Sequence, residues 1–299
     1  MKKFLAKVIW FLVPLAVVLA GLEAYLRSVP NSYKLKYGYM QRHSGTVETL
    51  VLGSSHTYHG LKPSCFSSPC FNLAYSSQDL KRDDYLLSRF IDGMDSLKQV
   101  VVPISYHTMP EMMEDFSSSE VLLKYYGMYM DYPPARFSFE LTIPRWYDKI
   151  LMQLRGESVC KSDSLGFGTD YMPEPDNLDE EHALSTVAYH THKDFSHVDE
   201  NMRILEHIIS ECGRRGVKVI LLTTPVTDLY CDNLDVRQLE LMHACADSLA
   251  SWHDNVVYWD FMRDARFSYG DFHDVDHLAV NGAEKFSRIL SDSIKSLYR

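Results

Sequence analysis

Thr49-Leu50-Val51-Leu52-Gly53-Ser54-Ser55-His56 is the stretch from which the fold is read. A short continuous apolar run reads as a strand buried on both faces. The glycine behind it gives the backbone room for a tight turn, which leaves the serines at the edge of a sheet. The same rhythm continues outward. Phe71 to Ala74 is a second, weaker strand, Gln78 to Met94 a helix with Tyr85, Leu86, Phe90 and Ile91 on one face, and Gln99 to Ser105 a buried strand. Met202, Leu205, Ile208, Ile209 and Cys212 recur at helical spacing before Gly213 and Gly216. Val217–Thr223 is the next strand, followed by a helix around 235–251, a strand at Val256–Trp259 and a last helix from about Asn281. Alternation of this kind predicts an α/β protein, a three-layer α/β/α sandwich with a mainly parallel sheet, over residues 47–299.

Residues 107–196 break the rhythm and read as a lid-like insertion. It holds an expected helix from Glu120 to Met130, opened by a capping box of Ser117 and Glu120. Tyr125, Tyr126, Met128 and Met130 read as lid core or pocket lining. Asp176 to His182 reads as a solvated acidic loop, and His190, His192 and His197 as a loose cluster in a loop.

The first 27 residues differ from the rest. Lys2, Lys3 and Lys7 precede an apolar run from Val8 to Leu22. Phe4 to Leu26 is long enough for a membrane-spanning helix if Lys7 and Glu23 snorkel. Val18-Leu19-Ala20 offers a signal-peptide cut site, and the uncleaved anchor is the preferred reading. No cysteine follows Ala20-Gly21, so a lipoprotein anchor is unavailable. The basic flank predicts a cytoplasmic start, an inner-membrane anchor and an exported, periplasmic remainder. Residues 28–46, with Pro30 and Asn31, read as a connector.

Of 299 residues, 40 are acidic and 30 basic, a net charge of −10 that argues against a nucleic-acid partner. The N-terminal segment carries a net +3, so the remainder stands at −13. Aromatic residues at 12% supply core material that a disordered chain lacks. Among six cysteines, Cys65 and Cys70 flank a short loop and could form a local disulfide, whereas Cys212 and Cys245 read as buried thiols on helix faces. There is no Cys-x-x-Cys pair to suggest structural zinc.

Ligands of such folds sit beyond the carboxyl ends of the strands. Two stretches reach that edge: the Gly53-Ser54-Ser55 turn, and Asp271-Phe272-His273-Asp274-Val275-Asp276-His277-Leu278 before the last helix. Asp274 and His277 are three apart, a spacing that lets a carboxylate hold one imidazole nitrogen while the other faces a serine. A serine hydroxyl needs such a base. The plainer alternatives are a helix N-cap for Ser55, and a capping aspartate with a surface histidine for the pair. His56, His59, His273, Asp271 and Asp276 could be imagined as metal ligands. His56 is read instead as a pocket wall or substrate contact, with neither metal nor organic cofactor.

The serine after the first strand and the Asp-x-x-His before the last helix resemble the SGNH (GDSL-type) hydrolase superfamily. The Gly-Ser-Ser form is similar to its membrane-anchored members, DltD-like D-alanyl transfer proteins and alginate O-acetylation proteins. Leu52 to Gly60, with Asn72-Leu73-Ala74 and Ser77-Gln78-Asp79, resembles anchored SGNH-like proteins of Bacteroidetes. The resemblance implies Ser55 as nucleophile, His277 as general base, Asp274 as its orienting acid, and the Ser55 N–H as one oxyanion donor. The chain departs from the pattern at Ser54, where the superfamily has aspartate. The second-block glycine is not evident near residues 72–77. The third-block Gly-x-Asn-Asp is replaced by Pro103-Ile104-Ser105-Tyr106-His107. His56, Ser77, Gln78 and Ser105 are the candidates for substrate or oxyanion contact. The implied function is a serine esterase or O-acyl (acetyl) transferase acting on cell-envelope or extracellular glycans, with a membrane-bound acyltransferase as an implied partner. A non-catalytic binding or assembly protein of the same fold is the alternative.

Overall fold

The structure is a computed structural model that describes residues 1–171 and 177–298. In chain order its elements are α1 (Lys2–Ser28), α2 (Ser32–His43), β1 (Thr49–Val51), α3 (Ser55–Gly60), β2 (Cys70–Asn72), α4 (Leu80–Phe90), β3 (Gln99–Pro103), α5 (Ser119–Met130), α6 (Tyr147–Leu154) and α7 (Glu180–His190). There follow α8 (Val198–Gly213), β4 (Lys218–Thr223), α9 (Asp228–Cys231), α10 (Val236–Trp252), β5 (Val256–Asp260) and α11 (Val280–Ser296). They form two compact units, one of Met1–Tyr37 with Ser117–Lys161, the other of Gly38–Phe116 with Ser162–Arg299.

The larger unit is built on a five-stranded, wholly parallel sheet in the order β2-β1-β3-β4-β5. Its strands are the expected ones to within two residues at each end. The parallel pairing explains why they read as continuous apolar runs: both faces are covered. Successive side chains alternate between faces. Val51, Val101, Ile220 and Leu222 pack with Phe286, Leu290 and Ile294 of α11. Leu50, Val100, Val219 and Leu221 lie equally buried on the opposite face. The sheet with helices on both sides is a three-layer sandwich. Strand order reverses direction at β1, which has β2 on one side and β3 on the other. The chain leaving β1 therefore enters the crevice where such sheets bind ligands.

The smaller unit is helical. α1 is the one described helix long and apolar enough to cross a membrane, a property it shares with signal sequences. Beyond its apolar stretch, the Glu23 carboxylate accepts the backbone N–H groups of Glu140 and Leu141, each at 3.0 Å. Arg27 donates to the Ser138 carbonyl at 2.6 Å. Buried Lys149 of α6 donates to both Glu140 oxygens at 2.6 and 2.7 Å.

Several details differ from expectation. α5 is present, but its N-cap is Ser118, in a helical conformation that cannot aim a hydroxyl back at the first turn, so the Ser117–Glu120 capping box does not form. The 28–46 segment carries the helix α2. His190 ends the helix α7, whose start is capped by Asp179 accepting the His182 N–H. The acidic stretch is thus partly helical, while Asp176 lies outside the described residues. Among the described residues no disulfide joins any of the six cysteines. Cys70 turns into the core as part of β2, away from any bridge to Cys65, and burial pushes its thiol well up; Cys212 and Cys245 are buried on helices.

Candidate active site

Every residue of the site lies in the sheet-bearing unit. The turn after β1 depends on Gly53, whose φ is +109°, a conformation that side-chain-bearing residues rarely adopt. A Cβ there would also fall 2.0 Å from Pro103 Cγ of the neighbouring strand. The Gly53 N–H donates to Asp83 Oδ1 at 2.8 Å, and Gln78 Nε2 donates to the same oxygen at 2.6 Å. Burial pushes the Asp83 carboxyl up to about 7 despite those bonds. α3 starts immediately, with Ser54 at the N-cap and Ser55 as first helical residue. Buried Asn72 closes the far end by donating to the carbonyls of Thr57 and Leu61, both at 2.8 Å.

The second stretch is a closed loop. Phe272 and Leu278 form an antiparallel bridge, and the His273 N–H donates to the His277 carbonyl at 2.9 Å. Thr227, following β4, donates through both N–H and hydroxyl to the Val275 carbonyl. The loop is thus fixed to the sheet edge independently of its catalytic-type side chains.

These two stretches meet. His277 Nε2 lies 2.8 Å from Ser55 Oγ, and His277 Nδ1 lies 3.0 and 3.1 Å from the two Asp274 oxygens. A second carboxylate, Asp276, stands 3.2 Å from the same Nδ1. Carboxylates only accept, so in the neutral form of His277 Nδ1 carries the proton and Nε2 presents its lone pair to the Ser55 hydroxyl. Ser55 Oγ is engaged with this imidazole, and Ser54 makes no side-chain capping bond.

Asp276 is 2% exposed and joins two imidazoles, because His56 Nε2 donates to its other oxygen at 3.1 Å. The His56 ring stacks on His277 with centroids 4.6 Å apart and 10° between planes. His190 Nδ1 is 3.7 Å from Asp276 and 2.9 Å from the Tyr230 hydroxyl, and His107 stacks on His190 at 4.4 Å. On another side Tyr171 stacks between His59 and His273 and meets His277 edge-on.

The electrostatics divide these histidines. Burial lowers His107 to about 3 and His190 to about 4, so both stay neutral. Burial opposes charge on His277 too, but Asp276 and then Asp274 outweigh it and raise the imidazole well above its ordinary value. The reciprocal effect, against its own burial, holds Asp276 well below the usual carboxylate range.

Of the expected site residues, Ser55, Asp274, His277 and His56 come together. Gln78 does not reach the triad: its carboxamide is committed to Asp83 and the Leu73 carbonyl. Ser77 sits in a left-handed turn with φ +58°, and Ser105 Oγ is buried without a partner in a small cavity beside His56. Neither hydrogen-bonds the triad among the described residues. Asp271 is occupied by Ser268 and Lys285. Among the described residues, the His/Asp group with metal-like spacing is His56, Asp276 and His277. Binding an ion through His277 Nδ1 would force the proton onto Nε2 and remove the base facing Ser55. Sequence reasoning missed the bridging role of Asp276 and the contributions of Asp83, His107 and His190. Only Asp276 carried a local signal, by adjoining His277.

No family model matches the chain, and no curated protein matches it. Among solved structures, it is similar to a proposed platelet activating factor from Streptococcus pneumonia, with 15% identity, a TM-score of 0.45, and coverage of 93% of this chain and 99% of the other. It is also similar to a proposed acylhydrolase from Bacteroides fragilis, with 11% identity, a TM-score of 0.44, and coverage of 87% and 96%. Neither likeness bears on the chemistry of the site.

Proposed function

We propose that the protein is an exported, membrane-anchored serine esterase or O-acyl transferase of the SGNH type. Its substrate class is acyl esters, acetyl above all, on cell-envelope or extracellular glycans. The observation that carries the reading is the Asp274–His277–Ser55 chain, with Ser55 Oγ 2.8 Å from an imidazole nitrogen whose partner nitrogen faces carboxylate.

Ser55 Oγ attacks the ester carbonyl carbon as its proton passes to His277 Nε2. The ester C–O bond then breaks, and His277 returns that proton to the leaving sugar oxygen. The acyl group remains on Ser55. Water, giving its proton to His277, attacks the acyl carbon, and the acid departs as Ser55 regains its proton. In transfer, a second sugar hydroxyl takes the place of water, as would suit work beside a membrane-bound acyltransferase. The Ser55 N–H is the first oxyanion donor in this scheme.

The test is labelling of the purified chain with a fluorophosphonate probe, with Ser55→Ala as control. Equal labelling of both forms ends the catalytic-serine reading. Acetate released from an acetylated glycan without an acceptor separates hydrolysis from transfer. A non-catalytic binding protein is the second reading. The observation favouring it is that Gln78 is held by Asp83, away from the triad, and an unlabelled wild-type chain would establish it.

A further inference from the structure

The helical unit exposes large apolar side chains that its own core does not need. Phe137 is 88% exposed and Leu154 79%. Phe139, Tyr147 and Leu151 are also exposed. Tyr147, Leu151 and Leu154 recur at i, i+4 and i+7, so they form one outward stripe on α6. Exposed arginines flank that helix, Arg145 before it and Arg155 behind it. An apolar patch of this kind with a basic rim marks an interaction site.

Its position relative to α1 says what it meets. Phe4–Leu22, apolar apart from Lys7 near the end where it can snorkel, is 19 residues long, or about 28 Å as helix, close to the ~30 Å hydrocarbon core of a bilayer. Glu23 and Arg27 then fall at headgroup level. Those same two side chains hold the loop that carries the aromatic residues: Arg27 donates to the carbonyl of Ser138, between Phe137 and Phe139, and Glu23 accepts the next two N–H groups. Lys149 joins α6 to the same loop through Glu140. The patch is thereby fixed to the point where the apolar helix ends.

We infer that this face of the helical unit is a second membrane contact, seated in the headgroup–acyl boundary of the leaflet from which α1 emerges. It rests on reading α1 as a membrane span. Aromatic and leucine side chains would enter the boundary while Arg145 and Arg155 meet anionic headgroups. The loop would then keep the helical unit against the bilayer, so that the protein is held by a surface as well as by a tether.

The experiment uses the full-length chain in nanodiscs of phosphatidylethanolamine and phosphatidylglycerol. A diazirine-bearing amino acid replaces Phe137, Leu154, Trp10 or Tyr189 one at a time, all exposed positions. Lipid adducts at 137 and 154 comparable with those at 10, and several-fold above those at 189, support the inference. Adducts at 10 but not at 137 and 154 overturn it while leaving the anchor intact. Crosslinks from 137 or 154 to a second protein chain also overturn it, since a protein then covers the patch. Absence of lipid adducts at 10 removes the anchor reading, and the second contact with it.

Discussion

Replacing Asp276 by asparagine tests the electrostatics of the site most directly. His277 faces two carboxylates, Asp274 at 3.0 Å and Asp276 at 3.2 Å. At an effective dielectric of about 20, a unit-charge pair at the latter distance gains roughly 5 kcal/mol. Asp276 shares that attraction between His277 and His56, and its removal is expected to lower the His277 pKa. The other titratable groups around it do not cancel this. His56, His59 and Tyr171 pack against the imidazole, His190 and its Tyr230 partner face Asp276, and neutral His107 lies behind them. The sign follows from the role of His277 as a base. Only neutral imidazole accepts the Ser55 proton, so activity rises with pH through the His277 pKa, and a raised pKa puts that rise on the alkaline side of the ordinary imidazole range. In Asp276→Asn the rise moves to lower pH. The plateau falls by roughly tenfold to a hundredfold, no more than the low end of the ~10²–10⁴ that a positioned base contributes, because a less basic imidazole removes the proton less readily. The assay is the rate of fluorophosphonate labelling, or of aryl acetate hydrolysis, against pH. A profile that keeps its wild-type acid limb while only its height changes refutes the reasoning, since a merely structural loss would do that.

Three further outcomes follow from the same geometry. Asp83 holds its proton to about pH 7 when folded, whereas an unfolded aspartate releases it near 3.9. The folded state therefore binds more protons between those values, and stability falls as pH rises from about 4 to 7, by up to about 4 kcal/mol. Asp83→Asn should flatten that slope in Tm measured against pH. Gly53→Ala places a Cβ at φ +109°, 2.0 Å from Pro103 Cγ, and should cost at least about 2–3 kcal/mol in a urea titration. Arg82→Met leaves the buried Asp79 carboxylate without its guanidinium and should cost about 3–5 kcal/mol by the same method, while Ser55 labelling of the folded fraction persists.

The elements that sequence reasoning located are those whose signal is local. β1, β3 and β4 are unbroken apolar runs, and α8 and α11 carry apolar residues at helical spacing, so each announces its own type. α2 escaped notice because Gly38 and three lysine or arginine residues interrupt any apolar stripe along Ser32–His43. α7 did carry a start signal in Asp179, but its polar composition concealed the helix. The Cys65–Cys70 spacing permitted a bridge that strand formation prevents, since pairing of Cys70 with Thr49 directs its side chain to the core.

The candidate site divides along the same line. Gly53, Ser55, Asp274 and His277 were legible because each occupies a position defined by an adjacent element: the end of the first strand, or the approach to the last helix. Spacing of three residues lets Asp274 orient His277 within one loop. The remainder depends on separations no local pattern encodes. His56 and Asp276 are 220 residues apart and share a 3.1 Å bond, while His190 reaches the same carboxylate from the end of α7. Asp83 meets Gly53 across 30 residues. Sequence alone specifies which segments become strand, helix and turn, because those preferences are set by neighbours along the chain. The company of a buried charge is set by packing, because only the assembled core brings distant polar groups together and removes the water that would otherwise separate them.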